Sequence, residues 1–188
     1  MKKHALRKLI KEKRKVMSKQ DIKTFSDSIM NHLIEAFEFK NKLVNVFLPI
    51  QKFNEIDLTP LKDKIETLGG KVCINRSNFD TFELSPILWD DHLIIEENQY
   101  GIPEPINGKQ LNLKNIDIVL VPLLAFTSEG HRLGYGKGFY DRFLIKTADQ
   151  CIHVGICHNS NYHQIDDIND RDIALEFLIS PEGMKTFN

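Results

Sequence analysis

Ile116-Asp117-Ile118-Val119-Leu120-Val121-Pro122 is the stretch on which the reading of the fold turns. After Asp117 it is an unbroken aliphatic run, too short for an ordinary helix and closed by a proline that cannot donate to a ladder. Such a run predicts a strand buried on both faces, as in parallel sheets covered by helices. Outward from it, Leu43 to Leu48, Lys71 to Asn75, Phe82 to Leu88, Ile152 to Ile156 and Phe177 to Ser180 read as further strands, the last before a frayed C-terminus. Thr59-Pro60 reads as an N-cap and first-turn proline, with Leu61, Ile65 and Leu68 as the helix stripe and Gly69-Gly70 as its stop. Residues 139–147 predict another helix, and Asp90 to Gln110, with Pro103 and Pro105, reads as mostly irregular. The expected fold is α/β: a three-layer sandwich with a largely parallel central sheet and helices on both faces. Its ligands should gather at the carboxyl ends of the strands.

The chain begins differently. Leu6, Leu9, Ile10, Val16 and Met17 recur at helical spacing, while Lys3, Arg7, Lys11 and Arg14 step along another face, so residues 3–17 predict a basic amphipathic helix. Ser18 with Asp21 resembles a capping box, and Ile22, Phe25, Ile29, Leu33 and Ala36 predict a second helix ending near Phe37. Residues 2 to 15 hold eight Lys or Arg against the single Glu12, although the 188-residue chain has a net charge of only −1. The basic character is local, and no global attraction to nucleic acid follows. An RNA-binding module built on this one helix, without aromatic stacking motifs, is a weak case.

At 41% hydrophobic and 27% charged, the composition is that of a globular protein, with no apolar run long enough to span a membrane. A single domain over 1–188 is expected, as monomer or weak homodimer. The basic start is not followed by the apolar stretch of a secretory signal, so the expected address is cytoplasmic. Cys73, Cys151 and Cys157 are odd in number and widely spaced, which predicts free thiols. Cys151 to His158, with His163 beyond, matches no zinc spacing.

Four of the ten glycines, Gly130, Gly134, Gly136 and Gly138, fall within nine residues after the decisive strand and before a predicted helix. Glycines that let the backbone approach a ligand, followed by a helix N-terminus, form an anion cradle, and Arg132 and Lys137 add cations suited to phosphate oxygens. The segment is neither a P-loop nor a dinucleotide fingerprint. By glycine spacing alone it could equally be a turn that happens to precede a helix, and Arg132, Lys137 and Asp141 around it favour the cradle. Asp141 has two readings as well, a first-turn acid or a carboxylate holding Mg²⁺ against bound phosphates.

The run Gly130-His131-Arg132-Leu133-Gly134-Tyr135-Gly136-Lys137-Gly138-Phe139-Tyr140-Asp141-Arg142 resembles the signature of the 5-formyltetrahydrofolate cyclo-ligases, or 5,10-methenyltetrahydrofolate synthetases. The likeness extends to Lys3-His4-Ala5-Leu6-Arg7, to Phe47-Leu48-Pro49 with Glu55, to residues 100–105 and to residues 118–126. It implies ATP as co-substrate, Mg²⁺, and conversion of 5-formyltetrahydrofolate to 5,10-methenyltetrahydrofolate with release of ADP and phosphate. In that reaction the formyl oxygen is phosphorylated, N10 closes onto the activated carbon, and phosphate leaves.

Carried over by position, the resemblance places ATP on Lys3, Arg7, Arg132, Leu133, Gly134, Tyr135, Gly136, Lys137, Gly138, Phe139 and Tyr140. Arg132, Lys137 and Glu55 take the catalytic roles. Ile50, Glu55 and Tyr140 face the folate, and Asp141 and Asp172 hold the metal, with Asp166, Asp167 and Asp170 as rivals to Asp172. Phe139 stands where relatives commonly have Tyr, which keeps an aromatic face and loses a hydroxyl. Lys11 and Arg14 are expected to be ordinary surface charges. The alternative is a non-catalytic folate- or nucleotide-binding relative, against which intact Arg132, Lys137, Asp141 and Glu55 argue.

Overall fold

The structure, a computed structural model, describes residues 1–169 and 172–187. Two helices open the chain, α1 (Lys3–Lys15) and α2 (Lys19–Ala36). Then come β1 (Leu43–Asn45), α3 (Leu61–Thr67), β2 (Lys71–Asn78), β3 (Glu83–Leu88) and a short hairpin of β4 (Ile95–Glu97) and β5 (Pro103–Pro105). The second half holds β6 (Ile118–Pro122), a tight hairpin of β7 (Ala125–Phe126) and β8 (Arg132–Leu133), then α4 (Phe139–Leu144), β9 (Ile152–Ile156), β10 (Phe177–Ser180) and β11 (Gly183–Thr186).

Seven strands form the central sheet in the order β11-β10-β9-β6-β1-β2-β3. The decisive strand β6 is its middle member, parallel to β1 on one side and β9 on the other. Only the edge strands β3 and β11 run antiparallel to their neighbours. Alternation along β6 serves both faces, as a strand's period of two requires. Ile118 and Leu120 join α2 and α3 through Ile29, Leu33, Leu61 and Ile65. Val119 and Val121 join α4 through Phe143 and Leu144. The three-layer α/β sandwich is therefore observed, with the second face covered by α4 together with a 3-10 turn at Leu113 and segments carrying Leu111 and Phe187. Cys73, Cys151 and Cys157 are buried and free.

Several local expectations are corrected. The α1 stripe narrows to Leu6 and Ile10, while Leu9 and Val16 face solvent, because α1 lies over the end of the sheet, where Leu6 and Ile10 share one apolar cluster with Leu124, Ala125, Leu133 and Ile165. Thr59 does not cap α3: Pro60 occupies the N-cap position without a side-chain cap, and the Thr59 amide is taken by Asp57 Oδ1 at 2.9 Å. The Ser18–Asp21 capping box at α2 is present in both directions. Residues 90–110 contain the β4–β5 hairpin, clasped to β2 by Glu104, which accepts from the Ser77 amide and from Asn98 Nδ2, each at 2.9 Å. Phe177 to Ser180 is not the last strand, since Gly183–Thr186 folds back on it. The helix expected over 139–147 closes at Leu144.

Candidate functional site: a basic groove beside the glycine segment

At the carboxyl end of β6 the chain does not enter the glycine segment directly. It first forms the β7–β8 hairpin, fastened by the Leu124 amide to Leu133 O at 2.7 Å, and Gly130 belongs to that hairpin's turn rather than to a cradle. Residues 134–138 then cross the mouth of the sheet outside any helix or strand ladder. Gly136 and Gly138 have φ of +93° and +73°, the left-handed region that a side chain strains. A Cβ at Gly136 would lie 3.0 Å from the Arg7 guanidinium carbon, so glycine here also lets α1 approach.

That approach creates the groove. Packing of Leu6 and Ile10 on Leu133 brings the adjacent edge of α1 to the glycine segment, where Arg7 Nε donates to Gly134 O at 2.9 Å. The open space between them is about 640 Å³, a size typical of small-molecule sites. Arg7, Lys8, Lys11, Lys15, Lys52 and Lys137 line it against one carboxylate, Glu12. Its floor is aromatic: Phe53 stacks on Tyr135 with centroids 5.3 Å apart, and Lys11 Nζ lies 5.1 Å from the Tyr135 ring centre. A cationic rim over an aromatic floor suits a ligand with a planar ring and several negative charges.

Behind the glycine segment the charges are paired. Arg132 is buried, and its guanidinium donates to Asp141 Oδ1 at 2.6 Å and to the carbonyl of Ile173. It thus faces Asp141 rather than the groove. Lys3 Nζ meets Asp172 Oδ2 at 2.5 Å. Burial alone pushes the Asp172 carboxyl up, but the bonds from Lys3 and the Asn169 amide outweigh it and hold the group below the usual carboxylate range. The rivals Asp166 and Asp167 sit at the start of α1, bonded to the terminal amine and to the Lys3 amide. Asp170 lies outside the described residues. Asp141 and Asp172 thus share one cluster with Lys3 and Arg132, yet no group of three or more His, Cys, Asp or Glu gathers to hold a metal among the described residues.

Glu55 lies deeper, only 5% exposed. Its carboxylate accepts from the Ile50 amide at 2.8 Å and from the Tyr135 hydroxyl at 2.5 Å. Burial pushes its pKa above the usual carboxylate value, against the lowering effect of Tyr135, Ile50 and Arg14. Burial and the adjacent Glu55 both push the Tyr135 phenol up, so it remains a proton donor. Tyr140 packs edge-on to Phe143, and its phenol is likewise raised by burial first and Glu55 second. Phe139 meets Phe79 and Phe82 in a separate aromatic group, and Lys137 lies 5.8 Å from the Phe82 ring centre.

Two expectations are overturned. Arg14 is not a surface charge: it is 4% exposed, donates to Leu123 O at 2.5 Å and reaches the Tyr135 hydroxyl at 3.4 Å. Lys11 is part of the groove wall. Both lie on the face that the Lys3, Arg7, Lys11, Arg14 spacing marks, so the signal was in the periodicity. Lys52 and Phe53 had no such signal, because a 3-10 turn over Gln51–Phe53 brings them to the groove.

Fold and groove define a class, the α/β proteins that carry a cationic groove at the carboxyl end of a largely parallel sheet. The profile of the 5-formyltetrahydrofolate cyclo-ligase family matches residues 1–168. The chain is 26% identical to the 5-formyltetrahydrofolate cyclo-ligase of Mycoplasma pneumoniae over 183 residues, 97% of this chain and 100% of that protein. The Mycoplasma genitalium cyclo-ligase is 38% identical over 74 residues, 39% of this chain and 44% of that protein's length. Among solved structures, the 5,10-methenyltetrahydrofolate synthetase of Aquifex aeolicus superposes with a TM-score of 0.79 at 26% identity, covering 100% of this chain and 94% of the other. The chain belongs to the 5-formyltetrahydrofolate cyclo-ligase family.

Proposed function

We propose that this chain uses ATP to cyclise 5-formyltetrahydrofolate to 5,10-methenyltetrahydrofolate, releasing ADP and phosphate, as a single cytoplasmic domain over 1–188 that is monomeric or weakly dimeric. The observation that carries the reading is the bond from Tyr135, within the glycine segment, to the buried Glu55. It ties the cationic groove to a buried carboxylate that could orient a folate.

The amide-like formyl oxygen is a poor leaving group until it carries a phosphoryl group. Phosphoryl transfer asks the protein chiefly for positioning and charge neutralisation. Arg7 and Lys137 are the groove cations placed for the phosphates, and Lys8 and Lys11 extend that field. Arg132 acts one step back, fixing Asp141 at the start of α4. Tyr135 and Phe53 offer a flat surface for a ring, and Glu55 orients the folate beside Ile50 and Tyr140. N10 then closes onto the activated carbon, the C–O bond to the phosphorylated oxygen breaks, and phosphate leaves.

Two carboxylates beside a phosphate site fit Mg²⁺, a hard cation that takes few protein ligands and completes its shell with phosphate oxygens and water. Asp141 and Asp172 would hold it once Arg132 and Lys3 share their oxygens with it, and it would neutralise charge on the transferred phosphate. The absence of any helix long and apolar enough to cross a membrane among the described residues is compatible with the proposed address.

The test is to incubate the protein with 5-formyltetrahydrofolate and Mg-ATP and to follow methenyl absorbance together with ADP. The reading expects the two in equal amounts and a loss of at least about a hundredfold in Glu55→Gln, the scale seen when one positioned catalytic partner is removed. Folded wild-type protein that binds both substrates and makes no product would instead be a non-catalytic relative.

A further inference from the structure

Beside Glu55 lies a second, small cavity of about 10 Å³ bounded by Arg14, Glu55, Ile56, Leu123, Ile156 and His158 among others. Three buried side-chain nitrogens lack a hydrogen-bond partner among the described residues, and two of them, Arg14 Nε and His158 Nδ1, belong to residues bounding this cavity. Both residues are at least nine-tenths buried, at 4% and 5% exposure. Their chemistry is complementary. His158 Nε2 lies 2.7 Å from Asn54 O, which can only accept, so Nε2 carries the ring proton and Nδ1 presents a lone pair. Arg14 Nε can only donate. Asn54 ties the two together, since its side chain also donates to Arg14 O at 2.7 Å and the next residue is Glu55. A cavity of this size holds one water, and a buried water needs two to four polar partners.

We propose that Arg14 and His158, around one internal water, form a positioning device for Glu55. The water accepts from Arg14 Nε, donates one proton to His158 Nδ1 and turns the other to the Glu55 carboxylate, while Arg14 Nη1 supports the Tyr135 hydroxyl that holds the opposite side. Glu55 is then fixed in orientation, with the Arg14 charge and the hydrogen bonds opposing the upward push that burial exerts on its carboxyl. The groups facing it are Arg14 from α1, Tyr135 from the glycine segment, Tyr140 from α4, the Ile50 amide, and His158 beyond β9. Burial, with Arg14 adding to it, holds the His158 pKa at about 3, so the ring stays a neutral acceptor.

The idea rests on the cyclo-ligase reading for its catalytic meaning, and its test does not. In a ¹³C-carboxyl-labelled protein, the Glu55 resonance is assigned by its disappearance in Glu55→Gln and titrated in wild type, Arg14→Met, Arg14→Lys and His158→Phe. The device expects Arg14→Met and His158→Phe each to raise the midpoint by about one pH unit or more, the scale set by losing a charge or a hydrogen bond to a buried carboxylate. Arg14→Lys, which keeps the charge, should restore most of the shift. If the enzyme turns over, the acid limb of kcat/KM for the folate follows the same order. Should Arg14→Met not fold, His158→Phe decides, because it keeps the cation and removes the water's acceptor. An unmoved Glu55 midpoint in the folded variants overturns the proposal, whereas a wild type without turnover overturns the cyclo-ligase reading alone.

Discussion

The two sides of the glycine segment are built from the same residue types and do different work. Behind it, Arg132 with Asp141 and Lys3 with Asp172 are cation–carboxylate pairs, and the Arg132 side chain is 5% exposed. In front, Lys8, Lys15 and Lys137 stand exposed along a groove that offers them one carboxylate. A buried charge must be paired because desolvation is costly, so the rear charges belong to the fold. The front cations keep their hydration until a polyanion arrives, which makes them a ligand site. Which side of the backbone a charge lies on, rather than the motif it belongs to, therefore decides whether its loss is felt in stability as well as in the site or in binding alone.

The largest expected effect is at the rear. Asp141→Asn leaves the Arg132 guanidinium without its carboxylate, and urea unfolding should show a loss of roughly 3 kcal/mol, at the low end for a buried pair because Asp141 is 34% exposed. A variant as stable as wild type would erase the contrast. Next comes the front. Arg7→Ala should leave the unfolding midpoint nearly unchanged while costing about 2 kcal/mol of Mg-ATP binding, roughly thirtyfold in Kd, the worth of a charge-assisted bond. Calorimetry at rising ionic strength should also show wild-type affinity falling faster than that of the variant.

Acid offers a smaller and independent probe of the interior. His158 has its pKa held at about 3 by burial first and Arg14 second, against an ordinary value of 6.5. The unfolded chain therefore takes up a proton that the folded one refuses. Stability is fully present above pH 6.5 and falls as pH drops from there toward 3, by about 1.4 kcal/mol per unit once the unfolded histidine is charged. His158→Gln, which keeps a donor for Asn54 O, should flatten that slope in chemical denaturation between pH 6.5 and 5. An unchanged slope would show that this histidine is charged in the fold. The smallest effect belongs to Gly134, whose φ is not positive and where an added Cβ meets nothing within 4 Å. Gly134→Ala should alter stability by less than about 0.5 kcal/mol in the same assay, sharpening its difference from Gly136.

Much of the fold was legible because its strongest signals are local. The aliphatic run of β6 has no other stable home than the middle of a parallel sheet, and the Ser18–Asp21 box marks a helix start by two reciprocal bonds. The hairpins were not legible. Ala125–Phe126 and Arg132–Leu133 are too short to show a period, and Gly183–Thr186 carries a pattern that only its partner strand makes meaningful. In the candidate site, Arg7 and the glycines could be picked out, and so could Glu55 through the family likeness. The placement of His158 and Lys52 could not, because each depends on which element lies across from it, whereas Arg14 stands on the face that the α1 spacing marks. The resemblance also gave no warning that Arg132 faces Asp141 and the Ile173 carbonyl, a fact of burial and not of motif.

If the groove between α1 and the glycine segment is the nucleotide site, calorimetric titration of Mg-ATP into wild type and Gly136→Ala will separate the two proteins. A methyl at Gly136 occupies backbone with φ of +93° and lies against the Arg7 guanidinium, so it disturbs both walls of the groove. The account predicts a Kd raised by at least about tenfold, or roughly 1.4 kcal/mol, in a variant that still unfolds cooperatively. A folded Gly136→Ala protein that binds Mg-ATP as tightly as wild type would place the nucleotide elsewhere and contradict the account.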